Sequence, residues 1–371
     1  MSTPRPIETV GGGGAGLNAG GRGSMFLHAL STAVPSRAYT QQDCWKIFER
    51  SPRRATLSRR SRLILHSILT GDRGIDKRHF AVPDVERLFD LTPDELNAAY
   101  RAVAPELACD ALVPAIAAAG IRPSDIDALL VCTCTGYLCP GLTSYVAERL
   151  GLGAGTILQD LVGLGCGAAI PTLRSASHVL AANPRATVAC VAVEICSAAF
   201  YLDDDPGVLI SACLFSDGAA ATIWRGQPGP GNLQCFGFQT LHLPGERDKL
   251  RFETRQGKLR NLLDKSVPEL AARATARLWR ERGPRPVSRV IAHGGGPDVL
   301  AALSAGFPGY SLKASERVLR KFGNMSSPSV LFALEETLRE CAPGPGGDFW
   351  LVTFGAGFSA HSCRLGCLQD E

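Results

Sequence analysis

The stretch "DLVGLGCGAAIPTLR", residues 160–174, sets one cysteine, Cys166, among three glycines and two alanines, directly ahead of an amphipathic pattern. A cysteine that only packs a core is usually surrounded by larger apolar side chains. Stripping bulk from around a thiol suits a sharp strand-to-helix turn with a nucleophile at its tip, where a substrate can approach closely. The unpaired N–H groups and positive dipole end of the following helix would lower the thiol pKa toward the reactive thiolate. Pro171 falls early in that helix and removes one N–H, so an irregular first turn is expected. An unreactive cysteine in a tight turn fits the same stretch.

Outward from this stretch, short apolar runs occur at "ALLVCTCT" (128–135), "TVACVAVEIC" (187–196), "AAATIW" (219–224), "RVIAHG" (289–294) and "FWLVTFGAG" (349–357). They read as buried strands. Helical patterns lie between them at 94–120, with Pro105 and Pro114 as breaks, and at 144–151, 172–183, 270–283 and 327–341. This alternation predicts layered α/β structure with a largely parallel sheet. It runs twice, on either side of "GQPGPGN" at 226–232, which predicts two α/β units, residues 25–230 and 231–371. The glycine-rich opening, residues 1–24, lacks the apolar core of a signal peptide and is expected to be a disordered tail.

A chain of 371 residues with 45% hydrophobic content can bury a large core, and a net charge of +4 gives no reason to expect nucleic acid. Anionic small molecules stay open as partners. No apolar run approaches the roughly 20 residues of a membrane span, so a soluble protein is expected. Thirteen cysteines spread from Cys44 to Cys367 do not resemble a secreted disulfide framework and point to the reducing cytoplasm. Cys132/Cys134 and the group His361, Cys363, Cys367 lack a two-plus-two zinc spacing, so no metal is expected.

Two further segments place chemistry-bearing residues beside glycine and serine. In "RVIAHGGGPDVL" (289–300), His293 ends a strand, where its ring can reach into a cleft; a hydrogen-bonded structural histidine is the other reading. In "KFGNMSSPSVLFALEE" (321–336), Ser326 or Ser327 could cap a helix that Pro328 begins. That account has no need of Asn324.

Together, "GLGCGAA", "LFSDGAAA" (214–221), "HGGGP", "GNMSSPSVLF" and "FGAGFS" resemble the thiolase superfamily, and specifically the type III polyketide synthases, the chalcone-synthase-like enzymes. The resemblance covers nearly the whole chain from about residue 26. It implies a thiolase-like fold of two similar α-β-α-β-α halves in five layers, and a homodimer. The related ketoacyl synthases share the Cys, His and Asn but carry a Gln-Ala-Asn run after the histidine, which is absent here. A single-condensation enzyme of that kind is the alternative reading, and a catalytically silent assembly partner is a third.

The resemblance also implies roles. Cys166 would take an acyl-CoA starter as a thioester, and His293 and Asn324 would stabilise the enolate formed when malonyl-CoA loses carbon dioxide. No cofactor is implied beyond the coenzyme A thioester substrates. Phe215 matches a gatekeeper at the mouth of the CoA tunnel. The family's second gatekeeper has no phenylalanine in register in "GKLRNLLDKSVPEL" (257–270), so a wider tunnel is expected. Cys134 and Ser326 are expected at the substrate pocket, and Cys139 matches a loop residue that crosses into the partner's cavity. Arg62, Arg73, Lys77 and Arg78 of the basic segment 58–80 are expected to meet CoA phosphates, although such charge runs are also common on solvated helix faces. Ala356 stands where the family commonly has proline, which predicts a looser loop.

Overall fold

In the computed structural model, which describes residues 24–344 and 347–367, nine strands join into one sheet. In chain order they are β1 (Phe26–Ala33), β2 (Ala128–Cys132), β3 (Ile157–Leu161), β4 (Thr187–Glu194), β5 (Gly218–Arg225), β6 (Leu233–His242), β7 (Val287–Ala292), β8 (Asp348–Gly355) and β9 (Ser359–Cys367). Across the sheet the order is β7-β8-β9-β6-β1-β5-β4-β2-β3. The five apolar runs of the sequence form β2, β4, β5, β7 and β8. The tail expected at 1–24 lies outside the described residues except for Ser24.

The sheet is mixed, not largely parallel. β2 runs parallel to β3 and β4, and β7 to β8, whereas the other neighbouring strands pair antiparallel. An apolar run says nothing about direction. β8 turns back into β9 between Gly355 and Ser359, too short a connection for the crossover that a parallel pair requires.

Side chains alternate faces along a strand, and here the alternation sorts the core into layers. From β2, Leu129 and Val131 join an outer cluster with Tyr100 and Ala104 of the helix Pro93–Ala118. Ala128, Leu130 and Cys132 face a central cluster with Leu173 of the helix Ala169–Ala182 and Leu331 of the helix Ser329–Glu340. From β8, Phe349 and Leu351 enter the same central cluster, while Trp350 and Val352 pack outward on Leu270 and Ala274 of the helix Val267–Arg280. The stack is helix, sheet, helices, sheet, helix. β1 and β6 meet at Phe26 opposite Gln234, which joins the strands before residue 230 to those after it.

The helix Pro93–Ala118 runs unbroken through Pro105 and Pro114, where breaks were expected. Proline inside a helix costs about 3 kcal/mol. A face of Leu96, Tyr100, Ala104, Leu107, Ala108, Ala111 and Leu112, all buried, offsets this, since each fully buried large apolar side chain contributes about 1.5–3 kcal/mol. Among the described residues, no helix is long and apolar enough to cross a membrane.

Candidate active site

Cys166 sits on a 3-10 turn, Gly165–Gly167, just ahead of the helix Ala169–Ala182, so the entry is irregular as Pro171 suggested. Gly167, and Gly355 opposite it, serve contact between backbones. A Cβ on Gly355 would collide with the Leu164 carbonyl, and one on Gly167 would come within 3.2 Å of both the Gly355 amide and the His361 ring. The Cys166 turn is therefore seated directly on the β8–β9 turn. Room at the sulfur comes from a cavity, not from the missing side chains.

His293 follows β7, and its N–H donates to the Val352 carbonyl at 2.9 Å, which extends the sheet by one residue. Its ring packs edge-on against Phe354, with centroids 5.1 Å apart, and Nδ1 is buried without a hydrogen-bond partner among the described residues. Asn324 is held by its backbone. Its N–H donates to the Leu214 carbonyl at 2.9 Å, and its carbonyl accepts from the Ser216 N–H at 2.9 Å, which brackets Phe215. Asn324 Nδ2 donates to the Gly295 carbonyl at 2.9 Å, which leaves the second amide hydrogen uncommitted. A cavity of about 680 Å³ brings Cys166, His293, Asn324, Phe215 and Phe354 together.

Burial decides the resting charges. It pushes the Cys166 thiol up to about 12 and His293 down to about 3. The helix start was expected to lower the thiol, and desolvation outweighs it. Near neutral pH the thiol and the imidazole that line this cavity are therefore both uncharged.

Neither Ser326 nor Ser327 caps the helix: it begins at Ser329, after Pro328, without a side-chain cap. Ser326 has φ +61°, a left-handed conformation that side chains rarely adopt, and it directs Oγ to Cys166 Sγ at 3.2 Å. Cys134 Sγ lies 3.4 Å from the same Oγ, which puts Cys134 close to Cys166. Ser326 and Cys134 both contact Glu194, which sequence reasoning missed. This fully buried carboxylate accepts from Ser327 Oγ at 2.6 Å, the Cys134 amide at 2.9 Å, Thr135 Oγ1 at 2.9 Å and Ser326 Oγ at 3.4 Å. Burial raises its pKa despite these donors. The one signal was a glutamate ending an otherwise apolar strand.

A second cavity, of about 730 Å³, opens on the other side of Gly165 and Cys134 and is lined by Tyr100, Phe252, Lys258 and Ala356. An apolar chamber with Cys166, Cys134, Cys196, Phe200 and Phe252 lies between the two cavities. Phe252, on the strand Leu250–Arg255 paired with Lys258–Leu263, lines this chamber and the second cavity but not the 680 Å³ cavity. Cys139 is exposed, next to a cis bond to Pro140, and outside these cavities.

Of the four basic residues expected to meet phosphate, Arg73 lines the 680 Å³ cavity. Arg62 does not; its guanidinium donates to the Leu57 carbonyl at 3.0 Å. Lys77 lies in the short strand Lys77–His79, away from the cavity wall. Arg78 is buried, and its guanidinium is committed to the carbonyls of Ala212 and Phe215. Arg60 and Lys265, which the sequence reading passed over, line the cavity instead.

A thiolase-like α/β fold with a cysteine, a histidine and an asparagine around one cavity defines an acyl-transferring class of enzyme. The chain belongs to the FAE1/type III polyketide synthase-like family, whose model matches residues 41–229. It is 33% identical over 358 residues to the 1,3,6,8-tetrahydroxynaphthalene synthase of Streptomyces peucetius subsp. caesius, covering 91% of this chain and 92% of that one. It is 29% identical over 356 residues to the 3,5-dihydroxyphenylacetyl-CoA synthase of Streptomyces toyocaensis, covering 91% and 88%. The crystal structure of the tetrahydroxynaphthalene synthase of Streptomyces coelicolor A3(2) superposes with a TM-score of 0.83 at 28% identity, covering 93% of this chain and 100% of that one.

Proposed function

We propose that this chain loads an acyl-CoA starter on Cys166, extends it by decarboxylative condensation with malonyl-CoA and releases a cyclised polyhydroxylated aromatic product. The convergence of Cys166, His293 and Asn324 on one cavity lined by Phe215 and Phe354 carries this reading. In loading, the Cys166 proton passes to the His293 imidazole as sulfur attacks the thioester carbon. The bond to coenzyme A breaks, and its sulfur takes that proton. In extension, the malonyl carboxylate leaves as carbon dioxide, and the electron pair of the broken bond forms an enolate whose oxygen meets His293 and the free N–H of Asn324. The enolate carbon attacks the acyl group and returns the electron pair to Cys166 sulfur. Decarboxylation supplies the carbanion, so the chemistry asks for no metal or organic cofactor.

The cations of Arg60, Arg73 and Lys265 on the cavity wall support binding of CoA phosphates there. The edge strand β3 supports a homodimer: Ile157 and Leu158 on it, and Val162 and Tyr137 nearby, are 41–73% exposed, and an unpaired apolar edge invites a second copy. Thirteen unpaired cysteines support a reducing, cytoplasmic setting. The relatives' named products, a naphthalene and a dihydroxyphenyl thioester, favour repeated extension over a single condensation. Mass spectrometry after incubation with labelled malonyl-CoA tests this. An aromatic product carrying several malonyl units is expected, and a lone short β-ketoacyl product would overturn it. Sedimentation equilibrium at twice the chain mass is expected for the dimer.

A further inference from the structure

Arg78 is 2% exposed, yet it takes part in no ion pair among the described residues. The buried Asp217 carboxylate is near enough for the guanidinium to favour its charged form but stands beyond ion-pair distance, so the buried cation needs other partners. Its Nη1 donates to the Ala212 carbonyl at 2.6 Å and the Phe215 carbonyl at 3.1 Å, and its guanidinium lies 5.1 Å over the Phe80 ring. Both carbonyls belong to the end of the helix Pro206–Leu214 and the residue just after it. The N–H that would normally continue the ladder to Ala212 is that of Ser216, and it is diverted to the Asn324 carbonyl at 2.9 Å. The bracket around Phe215 therefore leaves Ala212 without its helical donor. Arg78 supplies the replacement, at the negative end of the helix.

The segment around Arg78 is stitched to the same place. The His79 N–H donates to Ser216 Oγ at 2.8 Å, and the Asp217 N–H donates to the His79 carbonyl at 2.9 Å. Gly323, at φ +75°, lies so close that a Cβ there would stand 3.0 Å from both Arg78 Cγ and Ser216 Cβ. The guanidinium is thus wedged where the gatekeeper segment and the Asn324 segment meet, behind the cavity wall.

We propose that Arg78 is a positioning residue: it fixes Phe215 against Asn324 and thereby couples decarboxylation to carbon–carbon bond formation. The proposal rests on the functional reading above. Its role is opposite to that of a phosphate contact, because it acts on the enolate's donor and on Phe215 at the cavity wall, not on the grip for coenzyme A. A misplacement of about 1 Å in a reacting geometry can slow a reaction on the order of 10²-fold.

Arg78→Gln, Arg78→Lys and Arg73→Ala would be compared with the unaltered chain, by measuring carbon dioxide released per carbon–carbon bond formed together with kcat and KM for malonyl-CoA. Product formation by the unaltered chain tests the functional reading separately. For Arg78→Gln we expect kcat for condensation to fall about tenfold to 10²-fold, with KM within about twofold and more carbon dioxide released per bond formed. Arg78→Lys, which keeps one cationic donor, should recover part of the coupling, whereas Arg73→Ala should raise KM and leave the ratio alone. A salt-dependent rise in KM at constant kcat in the Arg78 variants would overturn the proposal and make Arg78 a phosphate contact. An unchanged ratio would also overturn it, as would failure of both variants to fold, which would reduce Arg78 to a structural role.

Discussion

The wall bearing Cys166, His293 and Asn324 and the basic segment 58–80 serve the same cavity, but their sequences encode them in different ways. The first is defined by backbone meeting backbone: Gly167 against Gly355, Asn324 against Leu214 and Ser216, and His293 against Val352. Close contact at Gly167 and Gly355 leaves no room for a side chain, and main-chain hydrogen bonds fix where the backbones of Asn324 and His293 run. The second is defined by long flexible cations, and a run of them can turn to water, to a ligand or into the core. In this chain three such cations take three placements, with Lys77 half-buried off the cavity wall, Arg73 lining the cavity and Arg78 buried.

The strongest way to break this comparison is at its rigid end. Cys166→Ala should abolish starter loading and condensation entirely while some malonyl-CoA decarboxylation continues, since His293 and Asn324 remain. Intact-protein mass spectrometry checks the first and carbon dioxide release the second. Condensation by the purified variant would sink the assignment. Asn324→Ala removes one enolate donor from a site shielded from water and should slow extension on the order of 10²-fold or more. Because its backbone bonds survive the change, the protein should stay folded. A loss below threefold would show that another group holds the enolate.

The flexible end predicts smaller and more uneven effects. Arg73→Ala should raise KM for CoA thioesters several-fold, on the order of 1 kcal/mol, as expected for one charge-assisted contact at a solvated wall. The effect should shrink as ionic strength rises. Arg62→Ala, whose guanidinium serves the Leu57 carbonyl, should leave KM within about twofold. If Arg62 mattered more than Arg73 to CoA affinity, the orientation of the whole segment would have to be redrawn.

What the sequence disclosed follows the same division. Strands buried on both faces read as apolar runs, so β2, β4, β5, β7 and β8 stood out, and the three site segments stood out by their glycines. β9 did not, because polar residues interrupt its pattern and find their partners only on neighbouring strands: Arg364 donates to Asp348 at 2.8 Å, and His361 pairs with Thr240 at 3.0 Å. Strand direction left no mark, and burial along the helix Pro93–Ala118 overrode two prolines. The thiol's raised pKa was hidden for the same reason as Glu194. Desolvation depends on everything packed around a group, whereas a helix start can be read locally.

The smallest expected effect probes that hidden layer. Burial is the main reason the Cys166 thiol stands at about 12; the Ser326 hydroxyl pulls it down, and the nearby Glu194 carboxylate pushes it up. Glu194→Gln keeps the shape and removes the charge, so the thiol pKa should fall. Below that pKa the rate of iodoacetamide labelling follows the thiolate fraction, and labelling should therefore quicken at every pH from neutral upward. Ser326→Ala removes the stabilising donor and should slow labelling over the same range. Equal rates for Glu194→Gln and the unaltered chain would mean that the carboxyl, itself raised by burial, already carries a proton in the folded protein, so that no charge stands behind the sulfur.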